Sequence, residues 1–437
     1  MIEQRCLIAT AEVLEDLSKA PAAWGWLDLR VSQREGLAAV EAYTHGGDFD
    51  GVRVAGRVRD LPDGHRLRTG TRITCAAVWY RGRPDVPFSA MHEMMRRRPH
   101  AAYPISEFEA MIGQGWREPS ADEVFEVLVE DRSTTPSTWT AWDLSNGSAV
   151  PAQLLIYDKR HELTSIFAGH WPQAETRRAT VALVGVGSIG SAAAMALPGY
   201  EVRNIVLVDP DRLYPHNIAR HQCGAEDIGR YKVDAVAERI RREHPETAVT
   251  ALRYNVIRHA DLVRPLLDEV DIVICSADGV AARQTTSHLC SVSGTAAIYA
   301  CVLADGAIGE LVRDPARSDV GCLRCLRRSL DASGSMDPEP GLDLEYGTGT
   351  THRPMTAIAG DLSLMGALAA KGAVATLLER TGYRDQRWSG DHMVVGLRPD
   401  RSWAAPFDQV RVLDVTASSM PPPDPECPLC CGDRSYE

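Results

Sequence analysis

Several residue groups in this chain have types and spacings suited to chemistry. Gly185-Val-Gly187-Ser-Ile-Gly190 directly follows the apolar run Thr180–Val184, and Asp209 ends the next apolar run. Glycines so placed make a tight turn (Gly185), let backbone approach a phosphate (Gly187) and let a helix pack on a strand (Gly190), while the helix N-terminus attracts the anion. Asp209 is suited to accept hydrogen bonds from ribose hydroxyls. The fingerprint fits ATP as well as NAD, and its plain alternative is a tight turn without a nucleotide. Ser276-Ala-Asp278 follows the apolar run Val270–Ser276, at the strand end where open α/β sheets place ligands. A helix N-cap is the plain reading of Asp278. Gly321-Cys322-Leu-Arg-Cys325 and Glu426-Cys427-Pro-Leu-Cys430 are two C-x-x-C pairs. Four thiolates so arranged close a tetrahedral zinc shell, with Cys431 as a spare, and predict that the later pair docks beside residue 322.

The elements that must position these groups are legible in the same stretch. Continuous apolar runs at Thr180–Val184, Asn204–Asp209, Thr247–Leu252 and Val270–Ser276 alternate with helical patterns at Ile189–Leu197, Lys232–Glu243 and Ala260–Leu267. That order predicts an α/β fold with a mostly parallel sheet covered on both faces. Ala281–Ser291 reads as a further helix, Ala296–Cys301 and Ala307–Val312 as strands, and about Gly360 to Glu379 as a long helix. Residues 1–165 carry mixed signals: a helix at Ala11–Ala20, a strand at Thr71–Tyr80, a helix at Phe88–Arg98, a strand at Gln153–Tyr157, and a polar loop from Asp131 to Asn146. They are expected to form an α+β accessory domain, with the boundary in Ala168–Arg178 and residues 166–437 as the nucleotide-binding domain.

Composition narrows the class. The 437 residues carry 47 basic and 59 acidic side chains, a net charge of −12, which disfavours nucleic acid and anionic membranes as partners. Hydrophobic residues at 44% fit a globular protein, and no apolar run of about 18 residues is evident that would span a bilayer. The N-terminus lacks a signal-peptide pattern, so a cytoplasmic location is expected, where the 11 cysteines stay reduced and close pairs read as metal ligands.

After Asp209 the chain reads D-x-D-x₅-N-x-x-R through Asp211, Asn217 and Arg220, with Lys232 beyond. This resembles the ThiF/MoeB-like adenylyltransferases, which include ubiquitin-activating enzymes. The resemblance runs from about Thr180 to Glu379 and extends to the C-terminal cysteines. It implies adenylation of a carboxylate: ATP held by the glycine loop and Asp209, Asp211 and Asn217, cations from Arg220 and Lys232, and Mg²⁺ on Asp278. The physical logic agrees, because two anions meet when a carboxylate attacks the α-phosphate, so fixed cations and a metal are required. Many such enzymes keep a cysteine between the first zinc knuckle and the long helix; here none lies between Cys325 and Cys427, and His352 stands at the matching place.

The expected function is ATP- and Mg²⁺-dependent adenylation of the C-terminal carboxylate of a small ubiquitin-like protein ending in glycine. The product would be an acyl-adenylate handed to a partner such as a conjugating enzyme, an oxyester on Thr350 or Thr351, or a bond to nitrogen. A short ribosomal peptide is the alternative substrate, and a catalytically inactive nucleotide-binding scaffold the alternative outside enzymes. A dehydrogenase leaves the charged set and the cysteine pairs without a job. The resemblance also implies a homodimer. Residues 1–165 are expected to bind substrate or to stand in for a second adenylation subunit.

Overall fold

Runs rich in Val, Thr, Trp and Tyr, such as Thr71–Arg81 and Thr138–Asp143, mark the first unit of the chain, Met1–Leu163, whose described residues are rich in strand. The computed structural model describes residues 6–47, 51–56, 58–61, 65–98, 101–113, 115–116, 126–144, 147–158, 172–335, 357–398 and 403–429. The unit contains β1 (Cys6–Thr10), β2 (Trp24–Ser32), β3 (Leu37–Thr44), β4 (Arg53–Ala55), β5 (Thr71–Arg81), β6 (Tyr103–Pro104), β7 (Glu126–Asp131), β8 (Thr138–Asp143) and β9 (Ser148–Tyr157). Pairing runs β1-β3-β2-β5-β7-β8-β9 and returns to β1 through a parallel β1–β9 ladder, so seven strands close a barrel. Closure removes both sheet edges.

Inside the barrel, Leu7, Leu27, Leu29, Val40, Ala77, Trp79 and Leu128 share one core with Val13, Leu14 and Leu17 of α1 (Ala11–Lys19). Thr10 caps that helix by accepting from the Val13 N–H, and Arg81 donates to the Ser18 carbonyl at its far end, 3.0 Å away. The outer faces of β5, β7 and β8 carry Val78, Tyr80, Val127, Val129 and Trp142, covered by α2 (Phe88–Arg96) and α3 (Ile105–Ile112). The expected α+β module is thus a barrel with attached helices. The expected loop at 131–146 also contains a strand, β8: its Thr-Trp-Thr-Ala-Trp sequence is β-forming, and the Ser- and Pro-rich signal belongs to the turn that precedes it.

The second unit, Thr164–Glu437, is the regular one. In order it contains α4 (Gln173–Arg178), β10 (Thr180–Val184), α5 (Ser188–Ala196), β11 (Asn204–Val208), α6 (Pro215–Ile218), α7 (Lys232–Glu243), β12 (Ala248–Leu252), α8 (Ala260–Leu267), β13 (Ile272–Cys275), α9 (Val280–Ser293) and β14 (Ala296–Leu303). There follow β15 (Ile308–Asp314), α10 (Leu323–Ala332), α11 (Ala359–Arg380), β16 (His392–Gly396) and β17 (Val415–Ser418). The sheet order is β12-β11-β10-β13-β14-β15-β16-β17, parallel through β14 and antiparallel beyond it. The strand order reverses between β10 and β13. Open α/β sheets bind ligands in the crevice at such a point.

Against the expectation that no apolar run is long enough to span a bilayer, α11 is by length and composition apolar enough to cross a membrane; 67% of its most apolar window is buried in this fold. It packs on α5 so closely that a Cβ on Gly366 would meet the Ile189 carbonyl at 2.5 Å.

Beneath the antiparallel part of the sheet lies a buried ionic cluster. Glu310 on β15 is 1% exposed and accepts hydrogen bonds from both terminal nitrogens of the Arg327 guanidinium, at 2.7 and 2.5 Å, and from the Nε2–H of His392 at 2.8 Å. Burial works against its charge, but Arg327 and His392 prevail and hold its pKa well below the usual carboxylate range. Removing one partner strands a charge in the core. Arg327→Met is therefore expected to lower unfolding stability by about 3 kcal/mol in denaturant titration, whereas exposed Arg387→Met stays within about 0.5 kcal/mol.

Candidate functional site

The loop after β10 is shaped by close packing at two of its glycines. Gly185 has φ +87°, and a Cβ there would meet the Ala277 backbone at 2.6 Å; one on Gly190 would fall 2.0 Å from the Gly185 carbonyl. Nothing lies within 4 Å of a Cβ on Gly187. Two of the three glycines are therefore required by the protein itself, and the third faces open space at the N-cap of α5. Ser276, at the end of β13, donates its hydroxyl to the Gly185 carbonyl (2.8 Å) and ties the two strands of the switch point together.

Asp209, at the tip of β11, is 5% exposed and faces the loop. Its Oδ2 accepts the Val186 N–H (2.7 Å) and its Oδ1 the Asp211 N–H (2.8 Å). The Lys232 ammonium, on the first residue of α7, lies 2.8 Å from Asp211 Oδ2 and 4.0 Å from Asp209 Oδ1. Burial disfavours the ammonium, but Asp209 and Asp211 outweigh it, with Asp278 adding to the field, and the Lys232 pKa rises. Burial and then repulsion by Asp209 raise that of Asp211, against the pull of Lys232. The two aspartates and the lysine thus act as one charge cluster. Tyr231, just before Lys232, is sandwiched between the guanidinium groups of Arg212 (3.8 Å) and Arg253 (4.3 Å), which fixes the start of α7.

Asn217 closes the turn of α6 by accepting the Tyr214 N–H at 2.9 Å, and its carbonyl accepts the N–H groups of Arg220 and His221. His221 is buried. Its Nε2 bonds the Val186 carbonyl (2.9 Å) and its Nδ1 the Cys223 N–H (3.1 Å). Asp278 is exposed in the loop between β13 and α9. The N-cap of α9 is Gly279, without a side-chain cap bond, so the carboxylate of Asp278 is not spent on capping. Arg283 is buried within α9, where its charge acts on Cys275 and Cys301.

Cys322, Cys325 and Cys427 meet in the interior, with Sγ atoms 3.9 Å (322 to 325) and 3.7 Å (322 to 427) apart. A tetrahedral zinc shell with bonds of about 2.3 Å needs sulfurs about 3.8 Å apart, and both of these separations match that spacing. The Asp424 N–H points at Cys325 Sγ (3.4 Å), and Arg328 pairs with Asp424 and Glu426, fastening the segment just before Cys427 to α10. Cys430, Thr350, Thr351 and His352 lie outside the described residues. A groove of about 620 Å³, lined by residues including Arg34, Arg66 and Ile73, opens in the other unit, and none of the predicted site residues borders it.

Residues 158–386, just over half of the chain, match the ThiF family, and the chain belongs to that family. It is 30% identical over 147 residues to the Sulfur carrier protein ThiS adenylyltransferase of Escherichia coli (strain K12), an alignment covering 33% of this chain and 57% of that protein. It is 30% identical over 260 residues to the ATP-dependent ubiquitin transferase-like protein Cap2 of Pseudomonas aeruginosa (strain BWHPSA011 / Pa011), covering 57% and 42%. Among solved structures, E. coli MccB with ATP aligns at 19% identity and a TM-score of 0.44, over 59% of this chain and 68% of that one. The chain spans about half the length of these curated relatives.

Sequence reasoning assigned no role to His221, Ser276 or Tyr231. All three stood beside quoted residues, but their bonds go to backbone or to ring faces that spacing does not show. Burial pushes the His221 imidazole down to about 4, against the opposing Val186 bond. The unfolded chain takes up that proton near pH 6.5 and the folded one only near pH 4, so the stabilisation is present above pH 6.5 and lost on acidification. From about pH 7.5 to about pH 5 this site is expected to remove about 2 kcal/mol. Urea titration of the parent chain against His221→Gln at both pH values reads the difference.

Proposed function

We propose that the chain adenylates the C-terminal carboxylate of a small ubiquitin-like protein, consuming ATP and releasing pyrophosphate. The observation that carries this reading is the convergence of the glycine loop, Asp209, Asp211 and Lys232 at the switch point of a ThiF-family sheet. ThiS, a sulfur carrier protein, and ubiquitin appear in the names of the aligned relatives, which supports a small carrier-like protein as the class of substrate.

In this reading the carboxylate oxygen forms a bond to the α-phosphorus, and the bond from that phosphorus to the bridging oxygen breaks, its electron pair leaving with pyrophosphate. The free N–H groups at the start of α5 face the phosphates. Lys232 exchanges part of its pairing with Asp211 for phosphate oxygens, and Arg220 adds a planar cation. Asp278 offers an uncommitted hard oxygen donor, which fits Mg²⁺; the ion would supply charge neutralisation on the phosphates. Cys322, Cys325, Cys427 and Cys430 hold a structural zinc ion. Thr350 and Thr351 are the candidate acyl acceptors within the chain, a conjugating enzyme the candidate acceptor outside it, and the working assembly is a homodimer.

The test is ATP–pyrophosphate exchange with purified candidate substrates, each a small protein with a C-terminal glycine or a short peptide encoded near this gene. Exchange with a folded protein supports the proposal; exchange only with a peptide replaces the substrate; Mg·ATP binding without any exchange favours a scaffold. Asp278→Ala is expected to keep the fold and lower exchange at least ~100-fold. Unchanged exchange removes Asp278 from the metal site. Cys322→Ser is expected to abolish stoichiometric zinc by metal analysis and to lower Tm, and a variant that keeps its zinc refutes the four-cysteine shell.

A further inference from the structure

We propose that His221 is a positioning residue for the triphosphate, aiming the Gly187 amide into the site by holding the carbonyl of the preceding residue away from it. This rests on the reading of the glycine loop as a nucleotide site.

The hydrogen bonds fix the chemistry of the ring. A backbone N–H can only donate, so Nδ1, 3.1 Å from the Cys223 nitrogen, must be the acceptor; a carbonyl can only accept, so Nε2, 2.9 Å from the Val186 oxygen, must carry the proton. The ring is therefore neutral and in a single tautomer. In a trans peptide the C=O and the next N–H point in opposite directions. With the Val186 carbonyl turned toward His221, the N–H of Gly187 is turned the other way. Among the described residues no acceptor takes that N–H, and the space beside Gly187 is open.

The other side of the same loop is held independently. Asp209 accepts the Val186 N–H, and the Ser276 hydroxyl donates to the Gly185 carbonyl. Val186 is thus gripped at both its backbone groups, by a carboxylate and an imidazole from different segments. The His221 N–H also bonds the Asn217 carbonyl, 2.9 Å away, as does that of Arg220. One residue therefore joins the turn that carries the Arg220 cation to the loop that carries the amide. The groups whose charges reach the ring are Lys232, Asp227 and Arg239.

Two substitutions separate the ring's two bonds. Gln places a donor near the Nε2 position and keeps the bond to Val186; Asn places an acceptor near the Nδ1 position and keeps only the bond to Cys223. The measurement is Mg·ATP affinity by calorimetry on the full chain, with Tm recorded for each variant. His221→Asn is expected to weaken binding about tenfold, and His221→Gln to stay within about threefold of the parent chain. A structural role without positioning predicts that affinity follows Tm. Equal affinities for the two variants, or weaker binding by Gln than by Asn, overturn the proposal. If the parent chain does not bind Mg·ATP, the nucleotide reading itself fails and the positioning role falls with it.

Discussion

A single buried carboxylate organises the glycine-loop end of the second unit. Asp209 accepts one backbone N–H from the glycine loop and one from its own strand exit, and its charge reaches Lys232 on a third segment. In an environment that is 5% exposed, an anion is tolerable only with such compensation. Remove the charge and the loop loses its N–H anchor, while Lys232 keeps Asp211 as its direct partner. The glycines around it act in concert: Gly185 and Gly190 let backbone come close enough for the carboxylate and the Ser276 hydroxyl to reach the loop.

The second unit was legible in the sequence because its physics is local and repetitive. Strands buried on both faces must be continuously apolar, and helices between them must be amphipathic, so Thr180–Val184, Asn204–Val208 and Lys232–Glu243 are found where pattern puts them. The grouping of Asp209, Asp211 and Lys232 was legible in another way, through the D-x-D-x₅-N-x-x-R motif and the lysine beyond it, whose resemblance to a known family implied that they share a site. What pattern did not carry were bonds to backbone. His221 and Ser276 owe their places to carbonyls whose directions depend on the turn as folded. That Asp278 is not the cap of α9 follows from Gly279 taking that position, which the sequence pattern did not show.

The barrel was less legible, and the reason is closure. Its β1–β3, β1–β9 and β5–β7 ladders are parallel, so strands that pair lie far apart in sequence and no hairpin turn announces them. Inward positions are filled by residues as unlike as Ala77, Trp79 and Leu128, alongside helix α1, so hydrophobic alternation is blurred. Short strands such as Glu126–Asp131 also carry buried acids, Glu126 and Glu130, which a sequence reader places on the surface.

The separation of Cys322 from Cys427 by 105 positions has a consequence for the order of events during synthesis. At about 5–20 residues per second, roughly 5–20 s elapse between the emergence of the first pair of thiols and the arrival of the later cysteine. Through that interval α10 presents two sulfurs with no enclosing partner, and β15 waits for β16 and β17 to cover its open edge. Both the thiols and the strand edge are therefore open to stray soft metals and stray strands until Cys427, β16 and β17 emerge to cover them.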